Sequence, residues 1–325
     1  MKRVLSFIIS MAMIMCLLTG CGGKKEEPTV IRVGAMSGPT AMGMVKLMKD
    51  AEEGKTSNEY SFAELATDAS AFVPAIATGE LDIAAVPSNL AATIYNNTEG
   101  QIKVLSACAL GVLSIVERGD SVNSISDLCG RDVYATGQGA VPEYIIRYLL
   151  EANGLNIESD LNMIWCSDTT EALSYLSSVD GAVAILPQPF ATAAMGQVED
   201  LRTVMDINDA WGSSGADCDI ITGVIVARKE FADKYPEQLS KFMEEYLASV
   251  KYTETNVEDC AGLIAEYGIV PKAPLAQKAL PKCHIVNITG TELKESLEGF
   301  LSIIYDMNPK AVGGKMPTDD FYYGI

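Results

Sequence analysis

Histidine is nearly absent from this chain of 325 residues: His284 is the only one. A lone imidazole cannot supply the usual two- and three-histidine metal sites. A Ser-His-Asp triad would have to recruit the same residue, and no Gly-x-Ser-x-Gly elbow is present. Basic residues are also scarce, with 24 Lys and Arg against 43 Asp and Glu, a net charge of −19. That balance argues against nucleic acid and against a broad footprint on anionic lipid. It leaves an anionic ligand open, because a cleft can be locally positive in an acidic protein. No Cys-x-x-Cys occurs among the eight cysteines, which removes zinc-ribbon and thioredoxin-like readings. Nucleotide fingerprints are missing too, since no P-loop Lys-Ser/Thr pair is found and Pro142 stands where a third glycine would fall after Gly137 and Gly139.

Only one long apolar run is present. Met1-Lys2-Arg3 gives a basic start, Val4 to Leu18 is almost unbroken in apolar character, and Leu18-Thr19-Gly20-Cys21 follows. The run is short for a membrane span and suits a signal peptide. The four residues at its end resemble the lipobox of bacterial lipoproteins, which implies lipidation at Cys21. Residues 21–29 then read as a polar tether. Setting aside Cys16 and Cys21 leaves Cys108, Cys129, Cys166, Cys218, Cys260 and Cys283, whose wide spacing suits small core residues; which disulfides form, if any, is not readable from it.

The remainder is organised around Gly79-Glu80-Leu81-Asp82-Ile83-Ala84-Ala85-Val86-Pro87-Ser88-Asn89. This reads as a turn, a strand apolar on both faces, and a stop at Pro87 where a helix begins. A second copy follows at Val179-Asp180-Gly181-Ala182-Val183-Ala184-Ile185-Leu186-Pro187-Gln188-Pro189. Ligands of open α/β sheets lie beyond the carboxyl ends of strands. Ser88, Asn89 and Gln188 are therefore candidate ligand contacts, although Ser88 and Asn89 would serve equally well as a plain helix cap.

Around these copies, strands and helices alternate, predicting mostly parallel sheets. Val30 to Met36 reads as a first strand. Ser37-Gly38-Pro39-Thr40 then turns into a helix from Ala41 to Asp50, placing Ser37, Gly38 and Thr40 at a cleft edge. Tyr60 to Ala66 and Ile102 to Ala109 are further strands. Thr136-Gly137-Gln138-Gly139 precedes a helix, and its two glycines let backbone approach a ligand closely. Two long β runs, Leu113 to Arg118 and Ile220 to Arg228, are placed to carry the chain out of one lobe and back. His284 falls in an exposed linker on this reading, and Phe321, Tyr322 and Tyr323 pack on a lobe surface.

Asp127-Leu128-Cys129-Gly130-Arg131 after the first long run, Pro187-Gln188-Pro189-Phe190, and Lys234-Tyr235-Pro236-Glu237 after the second resemble, in that order, type II periplasmic solute-binding proteins of ABC importers. The likeness covers roughly residues 30–305 and is nearest the nitrate, sulfonate, taurine and thiamine-precursor branch. It implies two Rossmann-like lobes joined by a two-strand hinge, with residues 30–114 and 224–325 in one lobe and 115–223 in the other. It further implies a lipid-anchored, monomeric receptor on the extracytoplasmic face of the cell membrane. Such a receptor has no cofactor or metal, and passes a small organic solute to an ABC permease. The candidate solutes are a sulfonate- or nitrate-like anion or a thiamine-precursor pyrimidine. Two alternatives share the fold: a signalling or structural lipoprotein, and a pyrimidine synthase, whose histidines and cysteine cluster are not found in this chain.

Overall fold

A computed structural model describes residues 30–325. The apolar run and Cys21 lie outside the described residues, and no helix among the latter is long and apolar enough to cross a membrane. The chain first lays down β1 (Ile31–Ala35), β2 (Tyr60–Phe62), β3 (Ile83–Pro87) and β4 (Ile102–Ala109). It then builds β5 (Leu113–Arg118), β6 (Asp132–Ala135), β7 (Asn162–Trp165), β8 (Val183–Pro187) and β9 (Leu201–Asp206), and returns through β10 (Gly223–Arg228) and β11 (Ile285–Ile288). Two sheets result, ordered β11-β4-β10-β3-β1-β2 and β7-β6-β8-β5-β9.

The two sheets share one plan. In the first, β2, β1 and β3 are parallel and β10 runs against β3; in the second, β7, β6 and β8 are parallel and β5 runs against β8. The strand reversed beside β3 or β8 is in each case the one that has just arrived from the other lobe; β11, at the edge of the first sheet, also runs against β4. A chain that leaves one sheet at its carboxyl edge enters the other at its carboxyl edge, and so must run backwards. The registers make this concrete: Gly223 lies opposite Pro87, and Leu113 lies opposite Pro187. Each proline that ends a copy of the repeated motif therefore marks where a crossing strand begins. Ile83 to Val86 and Val183 to Leu186 are fully or nearly fully buried, as a strand covered on both faces requires.

Helices cover both faces. The first lobe carries α1 (Pro39–Met42), α2 (Val45–Glu52), α3 (Phe72–Ala77) and α4 (Ser88–Asn97). The second has α5 (Val141–Ala152), α6 (Thr169–Ser178), α7 (Phe190–Met195) and α8 (Ile207–Gly212). After the return come α9 (Lys229–Lys234), α10 (Pro236–Thr255), α11 (Val257–Glu266), α12 (Ala273–Ala279) and α13 (Gly290–Met307). The helix expected from Ala41 to Asp50 is split at Gly43-Met44. The Ser249 hydroxyl donates to the Gly43 carbonyl (2.7 Å) and accepts from the Leu47 N–H (3.1 Å). A side chain from α10 thus stands where an i to i−4 backbone bond would be, a recognised cause of helix interruption.

One core runs through both lobes. Trp211 of α8 packs on Tyr148 of α5 (ring centroids 4.5 Å) and on Phe300 of α13 (5.9 Å), so the last long helix of the first lobe docks on the second. The tail aromatics do not stay on the surface. Phe321 and Tyr322 are buried, Phe321 meets Tyr95 at 4.9 Å, and the Tyr323 N–H bonds the Val104 carbonyl. Each lobe also holds a buried carboxylate. Asp82 accepts from Arg32 (2.6 and 2.8 Å) and Arg228 (3.2 Å), and Glu117 accepts from Arg202 (2.6 Å) and Ser121 (2.5 Å). Burial alone would push the Glu117 carboxyl up, but the hydrogen bonds from Ser121, Val122 and Arg202 outweigh it and hold the group below its ordinary value.

Candidate functional site

The carboxyl edge of the first sheet gathers Ser37, Gly38, Thr40 and Ser88. Ser37 follows β1, its N–H bonds the Ala66 carbonyl (2.8 Å), and its hydroxyl has no hydrogen-bond partner among the described residues. Gly38 caps α1 at φ 115, a conformation natural to glycine. The Thr40 hydroxyl is committed to the Met36 carbonyl (2.6 Å), and its methyl fills the space beside Gly223, where a Cβ would approach it to 2.6 Å. Ser88 opens α4, is fully buried, and donates its N–H to the Thr222 carbonyl (3.1 Å), while its hydroxyl lacks a partner. Asn89 points elsewhere. Its amide donates to Ala311 (3.3 Å), where Thr93 and Asn96 also hold the tail, the latter through Val312 (2.6 Å) and Lys315 (2.7 Å).

The second sheet's carboxyl edge gathers Thr136 and Gln188. Gln188 is buried and internally satisfied: Oε1 accepts from the Thr192 hydroxyl (2.7 Å) and N–H (3.3 Å), and Nε2 reaches Ser114 at 3.5 Å. Gly137 and Gly139 both adopt positive φ, 87° and 77°. The N–H of Gly139 is already taken by Glu143 Oε2 (2.6 Å), and that carboxylate also pairs with Arg147. The Thr136 hydroxyl is half-buried, the Gln138 amide is exposed, and neither has a partner among the described residues.

The two edges meet at the hinge. The Ser88 N–H bonds Thr222 of one crossing, and the Gln188 N–H bonds Val112 of the other (2.8 Å). The crossings are tied together by Thr222, whose N–H bonds Ala109 (3.0 Å) and whose hydroxyl bonds Leu110 (2.5 Å). His284 completes this node and is not in an exposed linker. Its Nδ1 lies 2.7 Å from the Gly111 carbonyl and 2.8 Å from Asn208, and its own carbonyl accepts from Leu110 (3.1 Å). Asp206 faces its Nε2 at 3.9 Å. Nothing in the sequence around His284 signals that role, because its partners are distant in the chain: Leu110 and Gly111 at one crossing, and Asp206 and Asn208 in the other lobe.

Sequence reasoning also missed an interlobe cavity of about 350 Å³. Its walls are α6, α7 and the Leu186–Pro189 end of β8 on one side, and Ile269 to Leu275 on the other. Pro189 and Phe190 belong to the loop singled out in the sequence; Ile269-Val270-Pro271 carries no periodic or turn signal that would place it opposite. The six cysteines among the described residues are unpaired, and burial pushes the thiols of Cys108, Cys166, Cys218 (about 11), Cys260 (about 11) and Cys283 (about 12) up, which suits core packing rather than nucleophilic chemistry. Among the described residues no group of three or more His, Cys, Asp or Glu side chains is placed to hold a metal ion.

Two like-patterned α/β lobes joined by paired crossings define the periplasmic binding protein fold of the second type. Solved structures agree. An ABC transporter protein from Parabacteroides distasonis superposes with a TM-score of 0.76 at 22% identity, over 90% of this chain and 98% of that one. The periplasmic aliphatic sulphonate binding protein SsuA of Escherichia coli gives 0.70 at 16%, over 90% and 94%. A zinc-bound ligand-binding component of an ABC-type import system from Staphylococcus aureus gives 0.66 at 12%, over 90% and 98%. At such identities the likeness is one of fold. No curated protein sequence matches the chain. A family model described as menaquinone biosynthesis matches residues 31–279, and the chain belongs to that family.

Proposed function

We propose that this protein is an extracytoplasmic solute receptor: a lipoprotein anchored through Cys21 that captures a small organic molecule between its lobes and presents it to an ABC permease. The observation that carries the reading is the hinge. Two equivalent strand-Pro turns, at Pro87 and Pro187, abut the two crossings, so rotation about residues 110–112 and 220–222 would open and close the carboxyl edges as a clamshell. The lobes in this reading are 30–114 with 224–325, and 115–223. Ser37, Thr136 and Gln138 supply the unengaged polar side chains, and Gly38, Gly137 and Gly139 supply backbone that a ligand can approach. Ser88 and Gln188 hold the hinge from within. The receptor acts as a monomer and needs no cofactor.

The family description favours a second reading, conversion of a menaquinone precursor. The side chains that could do such chemistry weigh against it, since the one histidine is committed to the hinge and five thiols are raised by burial. A thermal-shift screen of residues 29–325 against sulfonates, nitrate, aminopyrimidines and amino acids separates the readings. A ligand at a hundred times its dissociation constant adds about 2.7 kcal/mol of stability. Stabilisation with the solute recovered unchanged supports the receptor; recovery of a new product overturns it.

A further inference from the structure

The interlobe cavity says more about its occupant than the central cleft does. Its lining holds no charged side chain, and its walls are Leu173, Leu186, Phe190, Val270 and Leu275, with small residues of α7 leaving the room. Phe190 is 49% exposed, unusual for a phenylalanine standing in the wall of a cavity between two packed lobes. The polar groups on offer are the Thr169 and Thr170 hydroxyls at the start of α6, which have no hydrogen-bond partner among the described residues, and the Gln197 amide, whose Nε2 donates to the Ala193 carbonyl (3.3 Å). A helix start ordinarily favours an anion. Here that place is taken: the Asp168 carboxylate accepts from the Thr170 N–H (2.8 Å) and the Glu171 N–H (2.9 Å), and Glu171 holds Ser167. An anionic ligand at this helix start would find two of its N–H groups already held by Asp168, with that carboxylate and Glu171 just behind the cavity wall.

Size narrows the class further. An apolar cavity of about 150 Å³ holds one benzene ring. A volume of about 350 Å³ is therefore matched to a body of two rings or its aliphatic equivalent. We infer that this cavity binds a neutral, largely apolar solute of that size, gripped at one end by the hydroxyls of Thr169 and Thr170. The inference rests on the interlobe space being the solute site, and it sets the chain apart from receptors built around a sulfonate.

The test uses a matched pair of probes, 4-phenylphenol and biphenyl-4-sulfonate, which share a two-ring body and differ in charge. Titration calorimetry on the body of residues 30–325, which carries its own sheets and cores, is expected to give saturable binding of the phenol and at least tenfold weaker binding of the sulfonate. Ala193→Phe fills the cavity from the second lobe and Leu275→Trp from the first. Each is expected to weaken the phenol at least tenfold, with circular dichroism and melting temperature reporting whether the variant folds. Thr169→Ala combined with Thr170→Ala should cost the phenol about tenfold and leave biphenyl unaffected. Equal or tighter binding of the sulfonate overturns the neutral class. Phenol binding that ignores both filling variants, in folded protein, overturns the cavity assignment while the receptor reading stands on its own screen. Absence of saturable phenol binding overturns the inference outright.

Discussion

Gly223→Ala tests the hinge geometry at one atom. Gly223 begins the returning strand opposite Pro87, and an added Cβ would sit 2.6 Å from Thr40 Cγ2, 3.0 Å from Cys108 Sγ and 3.5 Å from the Ala109 Cβ. The first approach is far inside van der Waals contact, and Thr40 is not free to turn away because its hydroxyl bonds the Met36 carbonyl. Adding a methyl to a filled site costs about 1–3 kcal/mol. At roughly 2–4 °C per kcal/mol for domains somewhat smaller than this one, the melting temperature should fall by about 2–10 °C. Thr40→Ser removes the offending methyl and keeps the hydroxyl. The double variant should therefore recover most of the loss, giving a coupling energy of about 1 kcal/mol or more in a double-mutant cycle. Calorimetric melts of the four proteins measure it. Additive effects, or a Gly223→Ala protein as stable as the parent, would refute the contact.

Other expectations follow from single contacts. Asn96→Ala frees the carbonyls of Val312 and Lys315 and should cost about 1–3 kcal/mol in a denaturant melt, with faster proteolysis of the tail. Asn89→Ala should likewise lower stability through Ala311 while leaving solute affinity intact, whereas Gln138→Ala should do the reverse; titration and melting of both variants separate the two roles. The folded pKa of Glu117 lies below its ordinary 4.5, so its contribution is complete above that value and is lost as pH falls through the folded one. The parent should therefore lose more stability between about pH 5 and pH 3 than Glu117→Gln does, as read by melts across that range.

The strands flanking the hinge were legible because their physics is local. A strand buried on both faces is an unbroken apolar run, Pro87 and Pro187 end it, and the second copy repeats the pattern at the same spacing from an aspartate. The Asp168 cap is equally local, since Asp168-Thr169-Thr170-Glu171 has the form of a capping box and the carboxylate accepts from the Thr170 and Glu171 N–H groups. What escaped depends on distant partners. Asn89 resembles a cap residue and instead serves Ala311, 222 positions away. Ser249 breaks a helix two hundred residues earlier in the chain by accepting from Leu47. Phe321 and Tyr322 sit in a turn-rich tail with no periodicity, and their burial follows from the groove beside Tyr95 rather than from neighbours in sequence. The cavity wall at Ile269 to Leu275 is opposite α7 for the same reason.

A receptor of this kind closes its lobes on a solute and returns it unchanged. Small-angle scattering of residues 29–325, with and without the most stabilising solute from the thermal screen, tests it most directly when the solute is recovered afterwards and weighed by mass spectrometry. Lobe closure without turnover gives a smaller radius of gyration on binding and a solute of unaltered mass. An unchanged radius with a solute of altered mass would contradict it and make the protein an enzyme of its biosynthetic family.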